Sequence, residues 1–440
     1  MRNSLLPPGL PEFNYGIRQI VGKGFEREKL GYPVIWENIG DPVQKGMHLP
    51  AWMKEIIANQ IQHNSTFGYC DSKGLFETRE FLASKTNSLN GVQITSDELT
   101  FFNGLGDAIG RFYSMLSKES RVLMPSPTYP AHTGAEKLRI CDQPITYPLH
   151  PENNWQPNPD EIREIVRDNP AVTAILVINP DNPTGMVYSK KSLSAIVDIA
   201  REYDLFVISD EIYENLVYDG EMVRLAEVIG DVPALAMKGI SKEIPWPGSR
   251  CGWIEYYNRG NDSDFNALCT RLDQCKMTEV CSTTLPQKVI PEIMTHDLYE
   301  PFLAKRRQEL SMKMSLLKKK VEQLDDVECS GGEGAFYATL HFKTDLRKSD
   351  LDPDALPDVG KSLFLKWTKD LDSHPDLHLA YYLLAGTGVC TVPISGFDSR
   401  MPGLRITLLE QNLEHFNDML DQLFYGLGTV FSNKRSLVQV

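Results

Sequence analysis

The chain has no CxxC pair, no excess of positive charge and no long apolar run, and each lack closes a class of function. Its eight cysteines are scattered. Cys269, Cys275 and Cys281 are evenly spaced, but steps of six on a helix spread side chains around the axis rather than gathering them on a metal. They are expected to be small thiols in a reducing compartment. The formal net charge of -14 argues against a nucleic-acid partner, because phosphate binding needs a basic face. A small anionic substrate stays open, since local cations can outweigh the global field. No stretch reaches the roughly 18 apolar residues of a membrane span. The opening MRNSLLPPGLPEF places prolines where a signal peptide needs an apolar run. The expectation is a soluble, cytoplasmic protein with no membrane partner and no metal.

What remains is an ordinary globular balance, 42% hydrophobic and 24% charged over 440 residues, long enough for two cores. Residues 1–52 read as an extended arm, a helix and the turn Ile39-Gly40-Asp41-Pro42, forming part of a small domain. From 53 to 303 helical and strand-like segments alternate. Leu123-Met124, Ala174 to Ile178 and Leu205 to Ile208 are short apolar runs that end in turn residues. Between them lie amphipathic segments such as Lys191 to Tyr203, with Leu193, Ile196, Val197 and Ala200 on one face. This alternation predicts an α/β fold, a mainly parallel sheet covered on both faces. Residues 304–440 change character, with a charged helix over Ala304 to Leu324 and strand-like stretches at Gly334 to Phe342 and Val389 to Val392. They predict a smaller α+β domain, with Lys348 to Pro357 as a surface insertion.

The chemistry-bearing segments sit at the ends of those strands. Asn103-Gly104-Leu105-Gly106-Asp107-Ala108-Ile109-Gly110 follows Leu99 to Phe102 and opens a helix, a place where free N–H groups bind an anion. Alone it is compatible with a plain tight turn or a dinucleotide loop. The dinucleotide reading wants an acidic residue at the end of the next strand, which instead ends Met124-Pro125-Ser126-Pro127-Thr128-Tyr129. Asn179-Pro180-Asp181-Asn182-Pro183-Thr184-Gly185 follows another strand. Ser209-Asp210-Glu211-Ile212-Tyr213 follows the next and sets a carboxylate where open α/β sheets bind ligands. Gly239-Ile240-Ser241-Lys242 follows a third, and Arg250 comes eight residues later.

In this order and spacing the segments resemble the class I, fold-type I pyridoxal-phosphate aminotransferases, from Gly40 to Arg405. The resemblance implies a seven-stranded type of sheet, pyridoxal 5'-phosphate as cofactor, and amino-acid and 2-oxo-acid substrates. It implies a Schiff base on Lys242, which also moves the substrate proton. Asp210 is then the partner of the pyridine nitrogen, Asn182 and Tyr213 of the ring oxygen, and Tyr129 stacks on the ring. Arg250, Ser241 and the N–H groups of the Gly104, Leu105 and Gly106 turn hold the phosphate. Phe67 to Arg79 matches the family's Tyr-x4-Gly-x4-Arg segment, so Tyr69 implies a homodimer in which it reaches the neighbour's cofactor. Arg405, in Gly403-Leu404-Arg405-Ile406-Thr407, matches the arginine that takes the substrate carboxylate, with Gly40 beside it.

Within the class the chain looks most like the bacterial alanine aminotransferases. That implies a ping-pong exchange between alanine and 2-oxoglutarate, and makes Tyr15 and Arg18 of the arm candidate substrate contacts. Aspartate or an aromatic amino acid is the alternative donor, and a lyase or decarboxylase would keep every cofactor residue. A transcription regulator would add a basic helix-turn-helix, which is not read before Gly40, and the acidic total opposes one. Gly106 and Gly239 stand where many relatives carry hydroxyl residues. The run Glu243-Ile244-Pro245-Trp246-Pro247 is also unusual; its prolines remove backbone donors and stiffen the loop.

Overall fold

The computed structural model describes residues 5–10 and 16–438. A short strand β1 (Ile35–Trp36) precedes a large sheet built from β2 (Leu99–Phe102), β3 (Arg121–Ser126), β4 (Ile145–Pro148), β5 (Val172–Ile178), β6 (Phe206–Asp210), β7 (Ala234–Gly239) and β8 (Gly252–Tyr257). Beyond it lie β9 (Val327–Glu328), β10 (Tyr337–Phe342), β11 (Val389–Cys390), β12 (Val392–Pro393) and β13 (Gly403–Thr407).

The large sheet has the order β2-β8-β7-β6-β5-β3-β4 and is parallel except for β8, which runs antiparallel to both its neighbours. This is the α/β, mainly parallel sheet that the alternating segments predict, with the seven strands that the resemblance implies. Strand parity divides its residues between two cores. Ile175 and Val177 pack with Leu193, Ile196, Val197 and Ala200 of the helix Lys190–Glu202. Ala174, Leu176 and Ile178 face Ala108, Ile109 and Phe112 of the helix Leu105–Met115. That parity also aims Asp210. It shares its face with Phe206 and Ile208, while Val207, Ser209 and Glu211 point the other way.

A third core joins β10 to the helices Tyr299–Val321, Asp358–Thr368, Pro375–Gly386 and Leu413–Val438, and takes in Ile20 near the start of the chain. Its sheet has the order β12-β13-β10-β9, and β1 pairs in parallel with β11. The two stretches marked as strands in the sequence therefore do not pair with one another. The short strand β13 lies between β10 and β12, and its five residues make no distinct period-2 signal. The segment 348–357 forms two short 3-10 turns, and it is tied down: Leu351 is buried and Tyr382 donates to the Asp352 carbonyl at 3.0 Å. Among the described residues no helix is long and apolar enough to cross a membrane.

Beneath the strand ends that carry Asp210 and Lys242 lies a buried ionic cluster. Lys238 Nζ is 3.3 Å from Glu211, 3.5 Å from Glu214 and 3.6 Å from Glu255. Burial opposes its charge, but the three carboxylates overcome that and hold its pKa above the usual lysine value. Thr86, Trp253 and Tyr257 complete the hydrogen bonding of Glu255. Removing the cation would strand buried carboxylates. Lys238→Met is expected to cost about 3–5 kcal/mol of unfolding free energy, read by denaturant titration; a variant as stable as the parent would show that the lysine does not hold the cluster.

Candidate active site

The C-terminal ends of β5, β6 and β7 deliver three of the singled-out groups, and β13 brings the fourth from the small sheet. Asp210 closes β6, is 3% exposed, and accepts from the Ile212 N–H at 3.2 Å. Its other oxygen meets His132 Nε2 at 3.2 Å, and His132 Nδ1 meets the Tyr113 hydroxyl at 3.3 Å. The carboxylate is thus held in one orientation by a fully buried ring. Asn182 lies in the turn after β5 and is also 3% exposed.

Lys242 follows β7, half-buried. Its Nζ donates to the Gly40 carbonyl at 3.0 Å and lies 5.6 Å from the centre of the Phe336 ring. Arg306 Nη1 donates to the Lys242 carbonyl at 2.7 Å and also to that of Glu243, so a buried guanidinium clamps the lysine's own peptide. The unusual run after Lys242 packs inward: Ile244 is in the core, Trp246 packs against it, and burial pushes the Glu243 carboxyl up to about 7. Pro247–Ser249 then forms a 3-10 turn that leaves Arg250 in the left-handed region, φ 49°.

That turn swings the Arg250 guanidinium over the start of the helix Leu105–Met115. Gly104 has φ 81°, which favours glycine, and a Cβ there would lie 2.7 Å from Arg250 Nη2, so any side chain would displace the guanidinium. Gly106 is different, since Arg250 Nη2 at 4.0 Å is the nearest neighbour a Cβ would meet. At Gly239 a side chain would crowd the Cys251 carbonyl at 2.9 Å and Gly252 at 3.1 Å. The hydroxyl absent at 239 is therefore excluded by close packing of β7 on β8, while at 106 it is simply missing. Ser241 is buried beside Lys242, and Tyr129, half-buried, precedes the helix Pro130–Ile140 at the end of β3.

Arg405, on β13, is 3% exposed. Its Nη2 donates to the Asn38 carbonyl at 2.7 Å and its Nη1 to Asn182 Oδ1 at 3.4 Å. The guanidinium carbon sits 4.4 Å from the Tyr337 ring centre and 5.2 Å from that of Phe397. Its Nε has no partner, and among the described residues no carboxylate lies within ion-pair range of it. A buried cation without a counter-ion is costly, and a bound carboxylate would offset that cost. Asn38 Oδ1, Thr128 Oγ1 beside Tyr129 and Ser249 Oγ beside Arg250 are likewise buried without partners. Tyr213 donates to the Tyr337 hydroxyl at 3.3 Å, and burial, reinforced by Tyr337, holds its phenol protonated well above the usual tyrosine range.

The chain does not bury Tyr69 in its own cleft: the ring is 84% exposed. Arg18 is exposed on the helix Gly16–Lys29, and Tyr15 lies outside the described residues. Sequence reasoning misses His132, Tyr337, Asn38 and Arg306. His132 carries one faint signal, a polar residue on the first turn of a helix opened by Tyr129-Pro130. Tyr337 has none beyond its place in a strand.

Residues 33–420 match the family of class I and II aminotransferases, and the chain belongs to it. Its fold is that of the fold-type I aminotransferases. It is 46% identical over 424 residues to an uncharacterized aminotransferase of Methanocaldococcus jannaschii, covering 96% of this chain and 98% of that relative. It is 34% identical over 244 residues to the glutamate-pyruvate aminotransferase of Escherichia coli K12, across 54% of this chain and 59% of that one. Among solved structures, an alanine aminotransferase from Pyrococcus furiosus superposes with a TM-score of 0.82 at 27% identity, covering 95% of this chain and 98% of that chain.

Asp181, between Pro180 and Asn182, is fully buried and accepts from the Thr184 N–H at 3.1 Å and hydroxyl at 2.6 Å. Burial nevertheless pushes its carboxyl up to about 7 from an ordinary 3.8. The folded chain therefore holds a proton that the unfolded chain releases, and stability falls as pH rises between those two values. Asp181→Asn keeps the acceptor and removes the titration. Thermal melts of the two proteins from pH 4.5 to 8 should diverge, the parent losing up to about 1.4 kcal/mol per pH unit relative to the variant; parallel curves would mean that Asp181 is ionised throughout.

Proposed function

We propose that the protein is a pyridoxal-phosphate-dependent aminotransferase that moves the amino group of alanine to 2-oxoglutarate, acting as a cytoplasmic homodimer. One observation carries the reading: Arg405, a buried guanidinium with no carboxylate in ion-pair range, touches Asn182 and the Tyr337 ring, and Tyr337 lies against Tyr213 and against Gly40, the acceptor for Lys242. The residues present fit the cofactor. Arg250, Ser241 and the N–H groups of Leu105 and Gly106 would hold its phosphate at a helix start where Gly104 leaves room. Asp210, oriented by His132, would face the pyridine nitrogen and keep it protonated. Asn182 and Tyr213 would hydrogen-bond the ring oxygen, and Tyr129 would lie against the ring.

When bound, pyridoxal phosphate supplies the electron sink that lets the Cα proton of an amino acid leave. Lys242 would be its attachment point and, once released by the incoming amine, would take that proton on Nζ and return it as general acid. Arg405 grips the α-carboxylate bidentately, with the Gly40 backbone alongside. Arg18, on the helix Gly16–Lys29, would contact substrate. Donor and acceptor share the one clamp, so the keto-acid product leaves before 2-oxoglutarate enters, the ping-pong order. Alanine needs no second cation, and the similarity to a glutamate-pyruvate aminotransferase and to an alanine aminotransferase supports it as donor.

The dimer has its own support. Phe67, Tyr69, Met277 and Val280 are large apolar residues exposed at 73%, 84%, 63% and 46%. Thr284 donates to the Gly68 carbonyl at 2.9 Å and binds their two segments together. A second copy covering this edge would bury the patch and receive Tyr69 at its own phosphate site.

The protein loaded with pyridoxal phosphate should show a visible absorption band that alanine alone bleaches, with pyruvate released. A band bleached by another amino acid and not by alanine would replace the donor; carbon dioxide released in place of amino transfer would replace the reaction. Lys242→Ala is expected to lower turnover by about two to four decades with the fold intact, and a fully active variant would sink the assignment.

A further inference from the structure

The small sheet contributes one side chain that no motif names and that touches three of the groups above. Tyr337, in β10, is buried. Its hydroxyl is 3.3 Å from that of Tyr213, and its ring carries the Arg405 guanidinium at 4.4 Å. The same hydroxyl fills the space that any side chain at Gly40 would need, and the Gly40 carbonyl accepts from Lys242. Pairing of β10 with β13 sets Tyr337 opposite Thr407 and Thr339 opposite Arg405, so Tyr337 and Arg405 are diagonal neighbours on one face of the sheet.

We propose that Tyr337 is a positioning residue for transamination, joining the carboxylate clamp of Arg405 to the phenol of Tyr213 through one rigid side chain. The proposal rests on the roles given to Arg405 and Tyr213 above. An aromatic face attracts a guanidinium without neutralising it, so Arg405 is held in place and stays available to a carboxylate. An acidic residue at 337 would orient Arg405 as well but would compete with substrate for it. At the other end, Tyr213 donating to a ring oxygen keeps lone pairs free, and the Tyr337 hydroxyl can donate to one of them. A chain of two hydroxyls polarises its members and makes Tyr213 the stronger donor. The cation over the Tyr337 ring acts in the same direction. Asp210 and Tyr129 face the pair from the large sheet, and Arg405 faces it from β13.

Two variants separate the ring from the hydroxyl. In Tyr337→Phe, loaded with pyridoxal phosphate, the pH midpoint of the visible band should rise by roughly half a unit to one unit, the worth of one hydrogen bond to the ring oxygen's donor. Its KM for alanine should stay within about twofold, because the cation–π contact survives. In Tyr337→Leu, KM for alanine should rise about tenfold as Arg405 loses its platform, with kcat changed less. Thermal melts of both apoproteins check that the fold is kept. An unmoved midpoint in Tyr337→Phe, or an unmoved KM in Tyr337→Leu, overturns the coupling. If the parent itself forms no visible band with pyridoxal phosphate, the functional reading falls and takes this one with it.

Discussion

Arg405 is the constraint from which the arrangement of the molecule follows. A guanidinium buried to 3% exposure without a counter-ion is costly and must be held by its surroundings, and a ligand carboxylate would supply the missing charge. Three parts of the chain hold it: Asn38 from the N-terminal segment, Asn182 from the large sheet, and the rings of Tyr337 and Phe397 from the small unit. The return of residues 35–40 to the small unit, through the pairing of β1 with β11, brings the Asn38 carbonyl to Arg405 and the Gly40 carbonyl to Lys242. Glu37 secures that return, taking the Lys45 ammonium at 2.7 Å and the Thr407 hydroxyl at 2.9 Å.

The large sheet sets the opposing pole. Strand parity sends Asp210 to the face where His132 waits and Glu211 to the face where Lys238 waits, so adjacent carboxylates have separate electrostatic surroundings. In the proposed reading the first would meet a cationic ring nitrogen; the second is locked in a structural cluster. Arg306, from the long helix that joins the two units, holds the carbonyls on either side of the Lys242–Glu243 peptide bond. The lysine is thus fixed at its base, while its ammonium rests on the Gly40 carbonyl.

The class of fold and most of the site are legible in the sequence because their signals are local. Ala174 to Ile178 is an unbroken apolar run, and the turn that follows it carries Asn182 whatever the rest of the chain does. Asp210, Lys242 and Arg250 are legible for the same reason, each within a few residues of a strand end. Contacts made by chain segments far apart leave no such mark. Tyr337 reaches Tyr213 across 124 positions and His132 reaches Asp210 across 78. The order of the small sheet hides in strands of two to six residues, too short for a period-2 pattern to stand out. Gly239 shows the converse case: its identity is visible in the sequence, but the reason, the Cys251 carbonyl close against it, exists only once β7 and β8 are paired.

The most direct test is whether the buried cation is a carboxylate site. Thermal melts of the parent and of Arg405→Met would be compared with and without pyruvate or 2-oxoglutarate, before any turnover is measured. Either keto acid should raise the melting temperature of the parent with a saturating dose dependence, and neither should move that of the variant. A variant that still responds to carboxylates, or a parent that does not, would contradict the assignment of Arg405 as the clamp.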